Sequence, residues 1–292
     1  MQLFQARSRR SGQWVTEIAA LVGMLIYVGI VELLVMTLNP TLEGFGLVGT
    51  SVVLAIIPAA IWLFFFYVQD REEPEPTVYV VLMAVLGALL AASIGEPLIN
   101  GFFRAPEWLG NNMLTNILGS ILVVGFIQEF LKYAGIRFSM YYSTEFDQRM
   151  DGVIYGTAIG LGYGTMLNIM NVIGSGGVNL GVGVINIVVT ALVAGSLGGL
   201  TGYFLGRNKI DAMPAWWMPV GVTLAATLNG LFTWLSSEIT RAPITIAAGE
   251  ATGGYNPWPA LIAAIVLALL LLAGIFALIR SNNKADEGLG TV

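Results

Sequence analysis

Two residue types are missing from this sequence altogether, cysteine and histidine. Without cysteine there can be no disulfide, no thiol nucleophile and no thiolate metal site. The absent histidine excludes more, because imidazole is the commonest metal ligand and the side chain that ordinarily titrates nearest neutral pH. A histidine-dependent catalyst or metal centre is therefore ruled out. Charge is scarce as well. Asp, Glu, Lys and Arg together make up 11% of the 292 residues, where a soluble globular chain carries about a quarter. No basic block offers a surface for nucleic acid, and the formal net charge of −5 resides in loop and tail carboxylates.

What is abundant is apolar: 56% of the residues are hydrophobic, in runs long enough for the roughly 20 residues that a bilayer-crossing helix needs. These runs predict an all-α polytopic membrane protein with about eight transmembrane helices, near 15–38, 45–68, 77–99, 112–133, 152–173, 180–206, 213–234 and 259–279. The lipid bilayer is thus the first partner, and one membrane domain over 1–292 is expected. The first run is too long for a signal-peptide core and reads as a retained span. With eight spans, Arg7, Arg9, Arg10, Arg71, Lys132, Arg137, Arg149, Arg207, Lys209, Arg280 and Lys284 fall on one side. Only Arg104 and Arg241 fall on the other. The positive-inside rule then places both termini in the cytoplasm, in a prokaryotic plasma membrane.

Ionisable residues inside the spans are costly and normally face the protein interior in pairs. The stretch 126–133, Phe-Ile-Gln-Glu-Phe-Leu-Lys-Tyr, puts Glu129 and Lys132 three residues apart on one helix face. They read either as an internal ion pair or as the remnant of a catalytic motif. Glu32 in the first span and Glu96 in the third are further membrane carboxylates, candidates for binding a proton or a lipid headgroup. Glycines recur at four-residue spacing at Gly152, Gly156, Gly160 and Gly164, and again at Gly198, Gly202 and Gly206. Such faces let helix backbones approach closely, a main source of helix association in lipid.

Several segments carry a family resemblance. Asp70-Arg71-Glu72-Glu73-Pro74-Glu75-Pro76 resembles the Asp-Arg-x-Glu-Pro-Glu-Pro link of the PrsW family, intramembrane proteases related to the CAAX-processing and Abi membrane proteins. Gln128-Glu129-Phe130-Leu131-Lys132 is similar to that family's Glu-Glu-x-x-Lys motif. The run 151–163, beginning Asp151-Gly152 and containing Tyr155-Gly156, is similar to its Asp-Gly-Ile-x-Tyr-Gly run. Asn168 matches the asparagine of a Glu-Asn pair. The similar region covers about 66–234, leaving the span at 15–38 and the span at 259–279 as additions.

The resemblance implies peptide-bond cleavage by glutamates and histidines grouped inside the membrane around a metal or an activated water. Against that pattern, Gln128 replaces the first glutamate and Leu167 replaces the glutamate before Asn168. The two histidine positions fall at Ala194 and Asn229. Glu129 and Lys132 alone remain. An amide, a leucine and an alanine cannot act as a base or an anionic ligand. The expectation is therefore a catalytically inactive relative with no catalytic residues, no metal and no cofactor. It would act as a scaffold or accessory subunit for a protein partner or lipid in a larger membrane complex. Gln128, Glu129, Lys132, Asn168 and Asn229 would form a polar cluster between the fourth, fifth and seventh spans. The alternatives are an active intramembrane endopeptidase with an atypical carboxylate site, and a small transporter.

Overall fold

The computed structural model describes residues 2–69, 76–240, 245–247, 250–252 and 255–289. The proline-rich link at 70–75 lies outside the described residues. Among the described residues, eight helices are long and apolar enough to cross a membrane, as the hydrophobic runs require. Helix α1 is Gln2–Leu38 and α2 is Gly44–Gln69. Helix α3, Thr77–Leu90, continues through two wider π-helical segments, Ala91–Gly95 and Pro97–Phe102. A single turn, α4 (Ala105–Trp108), leads to α5 (Met113–Gly119). A third π segment, Ser120–Gly125, joins α5 to α6 (Phe126–Ser139). Then follow α7 (Arg149–Gly174), α8 (Leu180–Ile210), α9 (Trp217–Ile239) and α10 (Trp258–Leu289).

Two boundaries differ from the apolar runs. Helix α1 begins well before residue 15, and α10 carries on through the polar tail. Once a helix has been nucleated by its apolar stretch, each further residue adds a hydrogen bond at little cost. The loop before α10 contains a short antiparallel pairing of Thr245–Ala247 with Glu250–Thr252. The start of α5 is locally encoded: the Asn112 side chain accepts from the Thr115 amide at 2.9 Å, and the Thr115 hydroxyl accepts from the Asn112 amide at 3.2 Å. This reciprocal cap satisfies two donors that a helix start otherwise leaves open.

Helices α7 and α8 form the centre. Their most apolar windows are 78% and 72% buried by protein, whereas that of α10 is 17% buried. The reason is visible in the glycines. A Cβ on Gly152, Gly156 or Gly160 would collide with the carbonyl oxygens of Gly202, Gly198 and Ala194 respectively. In the reverse direction, Gly198, Gly202 and Gly206 lie against the carbonyls of Gly156, Gly152 and Arg149. Gly164 lies against the Ala194 methyl at 2.9 Å. The two glycine rows therefore face each other, with backbone on backbone. On its other side α7 meets α3, where Gly87 faces the Ile159 carbonyl and Gly162 faces the Ala84 carbonyl.

Polar contacts lock the end at which α7 begins and α8 finishes. Arg149 from α7 and Arg207 from α8 both bind Asp211, at 2.6 and 2.8 Å. Phe146, fully buried, stacks on Tyr155 at 6.0 Å between ring centres and closes the core beneath them. Burial pushes the Asp211 carboxyl up, but the hydrogen bonds and charges of the two arginines outweigh it and hold the group below its ordinary range. A depressed carboxylate stabilises the fold above its unfolded pKa and loses that contribution as pH falls through the folded one.

Three outcomes follow for thermal unfolding in detergent. Gly156→Val, which forces two backbones apart, should cost at least the ~1–3 kcal/mol typical of overpacking. Gly29→Ala, which meets nothing within 4 Å, should leave the midpoint unchanged. Asp211→Asn should lower stability near neutral pH by about 1 kcal/mol. The difference from the unmodified protein should vanish at acid pH, below the depressed pKa.

A buried carboxylate and ammonium site between α6, α8 and α9

The site begins with a break in helix regularity. The π segment Ser120–Gly125 ends one turn before Glu129. Such bulges reset the rotation of the following side chains and recur at functional sites. Against this segment α9 crosses without a gap: a Cβ on Gly125 would collide with the Ala226 carbonyl, and one on Gly230 with the backbone of Ile121. That glycine-to-backbone crossing brings Asn229 of α9 to the motif on α6.

Glu129 and Lys132 are both fully buried, and Lys132 Nζ donates to Glu129 Oε1 at 2.6 Å. The same carboxylate oxygen accepts from Asn229 Nδ2 at 2.6 Å. Asn229 Nδ2 also donates to Gln128 Oε1 at 3.0 Å, and the Thr233 hydroxyl donates to Asn229 Oδ1 at 3.4 Å. The second face of Lys132 reaches the Ala194 carbonyl of α8 at 3.4 Å, and its ammonium lies 5.9 Å from the centre of the Tyr163 ring. Glu129 Oε2 and the Tyr163 hydroxyl are buried and have no hydrogen-bond partner among the described residues. Half of the carboxylate is thus held by two donors, and the other half has no partner among the described residues.

The structure thus brings Gln128, Glu129, Lys132, Asn229 and the backbone of Ala194 to one place. Asn168 does not join them. Its side-chain amide donates to the Ile187 carbonyl of α8 at 3.0 Å, because α8 packs so closely that a backbone acceptor takes it. Leu167 packs with Leu131, Ala91 and Tyr163 beside the site. Glu32 lies elsewhere: its Oε1 is 3.1 Å from where a Cβ on Gly181 would sit, in the first turn of α8. A carboxylate there is favoured by the positive end of the helix dipole.

Sequence reasoning passed over two members. Tyr163 sits with its hydroxyl pressed against Gly95 of the first π segment, within electrostatic reach of both Glu96 and Glu129. Glu96 itself accepts from Asn100 at 2.6 Å. Nothing in the linear pattern announces this neighbourhood, although Tyr163 lies on the same glycine-rich run. The other is Glu17 of α1, which accepts from Trp62 Nε1 at 3.2 Å. It is half-buried and does not belong to the Glu129 site.

The energetic consequence of pairing two desolvated charges is testable. Removing one partner of a buried pair costs about 3–5 kcal/mol, while replacing both by neutral groups is nearly free. Lys132→Met alone should lower the unfolding midpoint strongly, and Glu129→Gln with Lys132→Met should recover most of the loss.

Comparison with known proteins bears on what this site does. The model of the PrsW family of intramembrane metalloproteases matches residues 75–271. Protease PrsW of Bacillus subtilis (strain 168) is 27% identical over 192 residues, 64% of this chain and 82% of the relative. Protease PrsW of Halalkalibacterium halodurans is 30% identical over 183 residues, 61% of this chain and 79% of the relative. No solved structure matches. These relatives are named as proteases, which overturns the expectation of an inactive scaffold or accessory subunit and points to an enzyme. The expectation rested on treating imidazole as indispensable, whereas carboxylates too can serve as general bases. With a match over more than half of its length, and with the family's glutamate and lysine gathered in one buried site, the chain belongs to the PrsW family of intramembrane proteases.

Proposed function

We propose that the protein is an intramembrane endopeptidase that hydrolyses a peptide bond of a membrane-embedded substrate, with Glu129 as the general base. The observation that carries this reading is the division of labour in one carboxylate. Oε1 is fixed by Lys132 and Asn229, while Oε2 is buried and unengaged. A base must be held in place and still have a lone pair to offer. In the reaction, Oε2 takes a proton from water as the hydroxide oxygen bonds to the substrate carbonyl carbon. The protonated carboxyl then returns that proton to the amide nitrogen as the C–N bond breaks, leaving a carboxylic acid and an amine. The Tyr163 hydroxyl, with its donor unspent, and the Lys132 ammonium are the nearby groups able to stabilise the developing oxyanion.

The family description names a metal, and the residues at this site do not suit one. Zinc centres take three protein ligands drawn from imidazole, thiolate and carboxylate. This chain has neither His nor Cys, and no group of three His, Cys, Asp or Glu that could hold an ion occurs among the described residues. The hydrolytic step above therefore runs on the chain's own groups. A cavity of about 230 Å3 lies between α5 and α9, lined by Asn112, Asn116, Trp234 and Glu238 among others. The distribution of basic residues supports cytoplasmic termini, and the bacterial relatives support a bacterial plasma membrane.

The test is cleavage of single-span membrane substrates by the purified protein in proteoliposomes. Glu129→Gln should reduce cleavage by about 10²–10⁴-fold, while Glu32→Gln should cleave as the unmodified protein does. Tyr163→Phe should cut cleavage without lowering the unfolding midpoint, because a buried hydroxyl without a partner adds nothing to stability. Undiminished cleavage by Glu129→Gln would refute the assignment.

A further inference from the structure

We propose that the Lys132 ammonium occupies the place of a metal ion in this site, so that the protein carries an internal organic cation and binds no divalent metal there. The inference deepens the proteolytic reading of the same site. Its evidence is geometric. Lys132 Nζ is fully buried and is ringed by oxygen acceptors and π electrons: Glu129 Oε1 at 2.6 Å, the Ala194 carbonyl at 3.4 Å and the face of Tyr163 at 5.9 Å. Those contacts come from α6, α8 and α7, so the ammonium sits where three spans converge.

The surrounding donors point the same way. Asn229 presents its NH₂ group, not its oxygen, to both Glu129 and Gln128, and the Thr233 hydroxyl holds the amide oxygen. An N–H aimed at a carboxylate excludes a cation from that side, because the cation would meet a hydrogen-bond donor. The Glu129 carboxylate and the Lys132 ammonium neutralise each other in direct contact, with two neutral amides beside them. A divalent ion added beside Lys132 would face an uncompensated like charge in a medium that screens little. The positive charge needed near a developing oxyanion is already supplied, by a group that no chelator can extract.

The experiment is metal analysis, which needs no substrate. The protein is purified from cells grown with added zinc, dialysed, and assayed by inductively coupled plasma mass spectrometry. It should carry no stoichiometric transition metal, and a retained equivalent would overturn the proposal. Two variants then test the role of the ammonium directly, both checked for a monodisperse elution profile. Gln128→Glu with Asn229→His supplies a three-donor set at positions already in contact. The second variant adds Lys132→Met. With the ammonium gone, about one zinc per chain should be retained, as a three-ligand site holds. With Lys132 in place, retention should be several-fold lower. Equal zinc contents in the two variants would mean that Lys132 does not hold the cation's place, and the proposal would fail. Cleavage that persists in phenanthroline supports it. A metal-free protein that cleaves nothing would count against the proteolytic reading while leaving the metal-free site standing.

Discussion

In hydrocarbon a helix gains nothing by hiding leucine from lipid, so the spans must hold together by close packing and by the polar groups they cannot afford to expose. The contact that satisfies this constraint here is the backbone-on-backbone seam between α7 and α8, made by two facing rows of glycine. Everything else is hung on that pair. The seam sets how near α3 can come to α7, through Gly87 and Gly162. It also fixes the height at which the Ala194 carbonyl stands, and so where the Lys132 ammonium can find its second acceptor. A larger residue anywhere along the seam would act on the site without touching it.

The site is a second solution to the same constraint. An isolated carboxylate or ammonium at this depth would be strongly disfavoured, and Glu129 and Lys132 make each other tolerable. Their neutralisation is deliberately incomplete. Two donors hold one oxygen of Glu129, and none holds the other. A purely structural ion pair gains by satisfying every lone pair. Leaving one open costs stability. The irregular π segments on either side, near Tyr163 and just before Glu129, are a further departure from the most stable helix. Departures of this kind gather where function is located.

The number of spans was legible from the apolar runs, because length and hydropathy alone decide whether a helix can cross. The glycine periodicity was legible for the same reason, since spacing on a helix maps directly onto one face. The inference that failed was about activity. Gln128, Leu167, Ala194 and Asn229 were read as losses at family positions, and losses were equated with inactivity. The relatives, named as proteases, correct that reading. At one of those positions Asn229 donates to the Glu129 carboxylate.

The composition by itself determined that the chain lives in a bilayer, that it cannot use thiol or imidazole chemistry, and that its few buried charges must find one another. These are properties of residue types, and no folding is needed to know them. Only the tertiary structure decided which polar residues meet. Asn229 lies 100 positions from Glu129 and joins it because Gly230 lets α9 lie on the π segment before Glu129. Asn168, which seemed the nearer candidate, is captured by a carbonyl of α8. Glu32 is drawn to the start of α8. In each case the partner was chosen by which backbone came close enough, and closeness between spans is a property of packing that no local stretch of sequence contains.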